Sequence, residues 1–212
     1  MFWNKPQKPA QHALYPKLPL NLRPGAIVVV ELGEALRFEG VDISFAIPQG
    51  ELVTEGVAAM DVFGMKIVRA YAQHEGKRFM FQFNCQADLT INDINLFTLL
   101  EEIYPPSTDD WDMWLAEGSG LIGGADLNAP NGKTYSREWG EGAWTAPVEA
   151  NELVFTDPAV APVSAEHKMM LYARAVGELS EYVLLSADSE TEQALVRAWV
   201  GVDIDTVGCK VY

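Results

Sequence analysis

Apolar positions are broken by prolines up to Pro24 and then fall into short runs that follow one another from Ala26 to Asn84. Ile27-Val28-Val29-Val30 is β-branched, a side-chain type that packs well on a pleated surface. Val41, Ile43, Phe45 and Ile47 alternate with Asp42, Ser44 and Ala46, which predicts a half-buried strand. Residues 67–71 and 79–83 also read as strands, the second with Phe79, Phe81 and Phe83 on one face. Breaks fall at Gly33, Glu39-Gly40, Pro48-Gln49-Gly50, Gly64 and Glu75-Gly76. Strands so closely spaced, with glycine turns between them, predict an antiparallel meander or a small barrel.

Helical spacing follows. Ile94, Phe97, Leu100 and Ile103 recur every third residue, which predicts a helix over 92–104 with Asn92 as N-cap and Pro105-Pro106 as its stop. Ser107 to Asp110 resembles a capping box, with Asp in place of the usual Glu or Gln. The helix it opens carries Asp109, Asp110 and Asp112 at the positive end of its dipole and a Trp111, Trp114, Leu115 stripe. Ser189 to Glu192 forms a further capping box and predicts a third helix through Ala194, Leu195, Ala198 and Trp199, ending at Gly201.

Between these helices the strand pattern returns. Asn131-Gly132 is a hairpin-turn signal before a strand at 133–139. Residues 152–155 form a short strand, and 168–176 with 182–186 form a hairpin around Gly177-Glu178. Residues 202–204 and 207–212 close the fold. The expected class is α+β, mostly antiparallel β in a meander or small barrel-like sheets, with about three short helices. Residues 25–212 form one unit or two closely packed sub-domains, 25–118 and 119–212, and no residue-level repeat relates the halves.

Charge changes the picture at the N-terminus. The chain of 212 residues has a formal charge of -15, yet its first thirty residues hold Lys5, Lys8, Lys17 and Arg23 and no acid before Glu31. Residues 1–24 therefore read as a basic arm in which Pro6, Pro9, Pro16, Pro19 and Pro24 forbid a continuous helix. Trp3 sits near its tip. The arm either lies across the protein's own acidic surface or docks on a partner or, weakly, on a membrane. The acidic body argues against nucleic acid, whose phosphates are bound by clustered Lys and Arg. The prolines interrupt any signal-peptide core, and no apolar run approaches the ~20 residues of a membrane span. Cys85 and Cys209 are too few and too far apart for a disulfide framework or a zinc site. The expectation is a soluble cytoplasmic protein.

Several motifs fail on their surroundings. Gly118-Ser-Gly120-Leu-Ile-Gly123 spells a dinucleotide fingerprint but follows an acidic helix rather than a strand, so its glycines read as a flexible connection. Asp126-x-Asn128-x-x-Asn131-Gly132 is out of register with a calcium loop and reads as a hairpin. His12, His74 and His167 are scattered. No catalytic residue, metal or cofactor is assigned. Nine acids without a base lie between Phe79 and Gly132; they make a solvated face or a docking face for a basic partner.

Three segments carry a resemblance: Gly132-Lys-Thr-Tyr135-Ser-Arg137-Glu-Trp139-Gly140, the hairpin from Tyr172-Ala-Arg174 through Glu181 to Ser186, and Val200-Gly201-Val202-Asp203-Ile204. With the length and the proline-rich start, they resemble an uncharacterised bacterial family, the YjfK-like proteins. The resemblance implies a setting beside a phage-shock-like coiled-coil protein and small membrane proteins, as a soluble accessory of an envelope-stress module. It carries no catalytic residues.

Two functional expectations result. In the first, a non-enzymatic interaction protein binds a basic protein partner through Trp3, Lys5 and Lys8 of the arm or through Asp109, Asp110, Trp111 and Asp112. In the second, a small-ligand binder or enzyme holds its ligand between the two strand-rich halves. Tyr135, Arg137, Trp139 and Trp144 would then line the pocket, with Arg137 facing a carboxylate or phosphate. The same four residues also fit a surface strand with aromatic cross-strand packing.

Overall fold

A computed structural model of the chain describes residues 17–190 and 193–212. Twelve strands dominate it. Strand β1 (Ile27–Val30) leads through a short helix α1 (Leu32–Leu36) to β2 (Glu51–Val62), β3 (Met65–His74), β4 (Lys77–Cys85) and β5 (Ile91–Ile103). Helix α2 (Thr108–Leu115) opens a long crossover that carries β6 (Asp126–Asn128) and β7 (Thr134–Arg137). Then come β8 (Val148–Phe155), β9 (Val163–Val176), β10 (Leu179–Glu190), β11 (Gln193–Ile204) and β12 (Cys209–Val211).

Strands β2 to β5 form one antiparallel meander and β8 to β11 another. The last strands of the two meanders pair, β5 with β11, and so do the first, β2 with β8. Eight strands thus close into an antiparallel barrel. Closure satisfies both edges of each meander, which would otherwise present unpaired backbone groups. Strands β1 and β12 extend the sheet from the start of β2, and β7 with β6 from the end of β9.

Both faces of the barrel wall are buried. Inside, Met60, Ile67, Met80, Phe97, Met169, Leu184 and Trp199 pack together. Outside, Val68, Ala70, Phe81 and Phe83 lie under Leu22, Val28, Phe38 and Ile47. On the other flank Met170, Val183, Leu185 and Val196 lie under Trp114, Ile122, Leu127 and Tyr135 of the crossover.

This double burial corrects two of the three expected helices. Residues 92–104 are strand β5: Ile94 and Leu96 face the outer cluster while Phe97 faces the interior. Residues 194–201 likewise belong to β11, paired along their length with β10 and β5. Among the described residues there are two α-helices rather than about three, with 3-10 turns at Pro19–Asn21 and Thr206–Gly208. Residues 41–47 form no strand; they run as a strap on the barrel, with Ile43 and Phe45 packed on its outer cluster.

Other expectations hold. Strands β1, β3 and β4 and the β9–β10 hairpin stand where the pattern placed them, and Asn131-Gly132 turns β6 into β7. In α2 the Ser107 hydroxyl accepts the Asp110 amide at 3.3 Å. Of the glycines at 118–123, Gly118 is open, whereas Gly120 and Gly123 are packed rather than loose. A Cβ at Gly120 would lie 2.6 Å from the Trp114 carbonyl oxygen, and one at Gly123 2.2 Å from that of Thr145.

Candidate functional site

The inward-facing positions change character along the barrel. Methionine and aromatic side chains fill its middle, and charged ones converge at the end where β3 turns into β4. A cavity of about 330 Å³ opens there between the two meanders. The first meander contributes Arg69, Tyr71, Arg78 and Phe79; the second contributes Glu152, His167, Ser186, Asp188, Arg197 and Trp199.

Strand register makes the charged groups neighbours. Arg69 stands opposite Gln82 of β4, and His167 of β9 opposite Asp188 of β10. Arg69 Nε donates to Gln82 Oε1 at 3.0 Å, and its Nη1 lies 3.4 Å from Glu152 Oε1. The Tyr71 hydroxyl donates to Glu152 at 2.8 Å. His167 bridges two carboxylates, with Nε2 3.1 Å from Glu152 and Nδ1 2.6 Å from Asp188. Arg197 Nη1 donates to Asp188 at 2.8 Å and its Nε to Glu102 at 3.0 Å, and Arg78 pairs with Glu102 at 2.7 Å.

The chain of bonds continues to the far end of the barrel. Gln82 donates to Asn84, Asn84 to Asn95 at 2.8 Å, and Asn95 to Asp203. One side-chain network thus joins every barrel strand except β2. Buried polar groups are tolerable only when paired, and this one network pairs the inward row.

Electrostatics follows from the pairing. Burial alone would push the His167 imidazole down, but hydrogen bonds to Asp188 and Glu152 outweigh it and raise the group to about 9. Burial would raise Glu152, and the Arg69 charge with the His167 and Tyr71 hydrogen bonds holds it down to about 2. Burial, reinforced by the Glu152 charge, lifts the Tyr71 hydroxyl well above its usual range. At neutral pH His167 is an imidazolium donating from both nitrogens. Ser186 donates to Asp188 and meets His167 only at Nδ1, 3.4 Å away, the nitrogen that Asp188 already holds. The cluster is a set of fixed charges rather than a Ser–His–Asp relay. No group of three or more His, Cys, Asp or Glu among the described residues is arranged to hold a metal.

The sequence-predicted residues lie elsewhere. Trp3, Lys5 and Lys8 fall outside the described residues. Asp109, Asp110, Trp111 and Asp112 stand on α2, where Trp111 and Leu115 wall an outer groove of about 680 Å³ with Glu149, Glu166 and Lys168. Tyr135 is fully buried and donates to Glu181 at 2.7 Å. Arg137 donates to the carbonyls of Gly123 and Gly142, and Trp144 Nε1 to that of Gly120 at 3.1 Å. Trp139 meets Phe63 edge to face at 5.9 Å. Tyr135, Arg137 and Trp144 tie the crossover down, and none of the four lines the barrel cavity.

Arg69, Tyr71, Glu152, Asp188 and Arg197 belong to no sequence motif, and His167 stands in the sequence only as one of three scattered histidines. The available signal was a charge in phase with apolar strand positions, as Arg69 is with Ile67 and Asp188 with Leu184.

Fold and site together define a closed antiparallel β-barrel with an ion-paired cavity at one mouth. The chain belongs to a family described as a protein of unknown function (DUF2491), whose family model matches residues 1–208. No curated protein and no solved structure matches it. No helix among the described residues is long and apolar enough to cross a membrane.

Proposed function

We propose that this protein is a binding protein that takes a small molecule into the mouth of its barrel. The cavity between the two meanders carries the reading. It is enclosed by both halves of the chain, walled by apolar side chains and floored by convergent buried charges, which is the usual make-up of a ligand site. The charges are locked by one another, so the site is built to hold and orient rather than to exchange protons. Screening a fragment library against the isotope-labelled protein by amide NMR tests this. Shifts clustered around Arg69, Tyr71, His167 and Trp199 support it; hits scattered over the surface, or none, sink it.

A second reading has its own observation. The groove beside α2 is lined by Glu149, Glu166, Asp188 and Lys168, its apolar side is Trp111 and Leu115, and Asp109, Asp110 and Asp112 stand on the same helix. Charge complementarity fits a basic segment of a partner protein, consistent with an accessory role in an envelope-stress module. Titration with a lysine-rich peptide should give salt-sensitive binding that Trp111→Ala weakens. Equal binding by that variant would remove the groove from consideration.

A further inference from the structure

We infer that the barrel mouth takes an uncharged, apolar molecule of one or two hydrocarbon rings. The inference rests on the reading of that mouth as a ligand site and names the class of its ligand.

The polar groups of the mouth are already committed to one another. Arg69 directs its donors to Gln82, Glu152, the Tyr71 oxygen and the Met169 sulfur. Glu152 accepts from Tyr71 and His167 as well. Asp188 accepts from His167, Ser186 and Arg197, and Glu102 pairs with both Arg78 and Arg197. The charges also balance among the described residues. Arg69, Arg78, His167 and Arg197 face Glu55, Glu102, Glu152 and Asp188, with Glu55 exposed at the rim.

A network closed in this way has no seat for another ion. A buried ionic head would either stay unpaired or draw a member of the network from its partner, and both are strongly unfavourable. An amide or a sugar hydroxyl meets the same obstacle on a smaller scale, because a polar group buried without a hydrogen bond loses its hydration for nothing.

What the mouth offers instead is hydrocarbon. Phe79, Val154, Val163, Ala165, Leu184 and Trp199 line it beside the charges. The Tyr71 and Trp199 rings stand 6.4 Å apart, tilted by 47°. Aromatic walls of this kind receive a further ring in offset or edge-to-face contact. The volume of about 330 Å³ sets the size. An apolar cavity of ~150 Å³ holds one benzene, so one or two rings fit here. Transfer of such a body from water to the wall supplies the driving force without a polar contact.

The test follows the amide and indole N–H resonances of the isotope-labelled, unaltered protein at pH 7. The titrants are toluene, benzoate, benzylamine and benzamide, which share a ring and differ in the head. Toluene should shift the signals of Trp199 and Val163. It should bind at least about tenfold more tightly than benzoate or benzylamine, and at least about threefold more tightly than benzamide. A smaller preference over any of the three would overturn the uncharged apolar class while leaving the barrel mouth a ligand site. No shift at the mouth from any of the four would overturn both. Val163 is 47% exposed at the rim, so the fold tolerates a polar side chain there. Val163→Asp should weaken toluene by about threefold or more through the lost apolar contact. Undiminished binding would place toluene away from this wall and overturn the assignment.

Discussion

His167 Nε2 lies 3.1 Å from a carboxylate oxygen of Glu152, and both side chains are buried inside the barrel. The two residues come from neighbouring strands of the second meander, and Arg69 of the first meander reaches the same carboxylate. The ion cluster therefore spans the seam between the halves.

Replacing His167 by Gln leaves Glu152 and Asp188 buried with no cation between them. Removing one member of a buried ion pair costs about 3–5 kcal/mol. Urea unfolding should show a loss of that size for His167→Gln. A loss under about 1 kcal/mol would mean that water or rearrangement replaces the imidazolium.

Stability should depend on pH through the same group. His167 is raised to about 9 in the folded protein from an ordinary 6.5, so the folded state holds its proton more tightly. Its contribution is complete below about 6.5 and disappears as pH rises through about 9. Glu152, held at about 2 against an ordinary 4.5, contributes above 4.5 and ceases to as pH falls towards 2. Denaturant midpoints measured from pH 6 to 10 should decline, and His167→Gln should flatten that decline. An equal slope in both proteins would place the titration elsewhere.

Glu181 is fully buried on the outer flank of the barrel, where it accepts Tyr135 and Arg174 at 2.7 Å and the Ser44 hydroxyl at 3.1 Å. It ties residues 41–47 to β10. Glu181→Gln removes the charge that Arg174 meets, at about 1.5–3 kcal/mol. Trypsin should then cut after Arg37 faster than in the unaltered protein. An unchanged rate would show that apolar packing alone holds the strap.

Gly201 lies opposite Phe97 across β11 and β5. A Cβ there would stand 2.3 Å from Phe97 Cδ1 and 2.6 Å from the Leu96 carbonyl oxygen. Both are parts of a packed wall, so Gly201→Ala should cost about 1–3 kcal/mol by overpacking. A thermal melt reads it, and an unshifted midpoint would mean that β5 yields.

The comparison of β5 with β3 shows where sequence patterns stop. In β3, Ile67 to Tyr71 is rich in strand formers and ends at a glycine turn, so the strand was legible. In β5 both faces are buried, so the polar half of the alternation is missing. The residual spacing of Ile94, Phe97, Leu100 and Ile103 then mimics a helix. Strand β11 mimics a helix for the same reason, with the Ser189–Glu192 capping signal added. The site was less legible still. Arg69, Glu152, His167 and Asp188 each sit singly in their own strand, without a shared spacing.

The sequence by itself determined the antiparallel class, the hairpin turns at Asn131-Gly132 and Gly177, the cap of α2 and the acidic balance of the body. These depend on neighbours in the chain, through turn geometry, capping and charge count. Only the tertiary structure decided that the two meanders close on each other, first strand to first and last to last. That closure brings Arg69 to Glu152, 83 residues apart, and a contact at such a separation has no local signature. It also turns one face of every barrel strand inward, which makes four ordinary strand charges into a buried cluster beside a cavity.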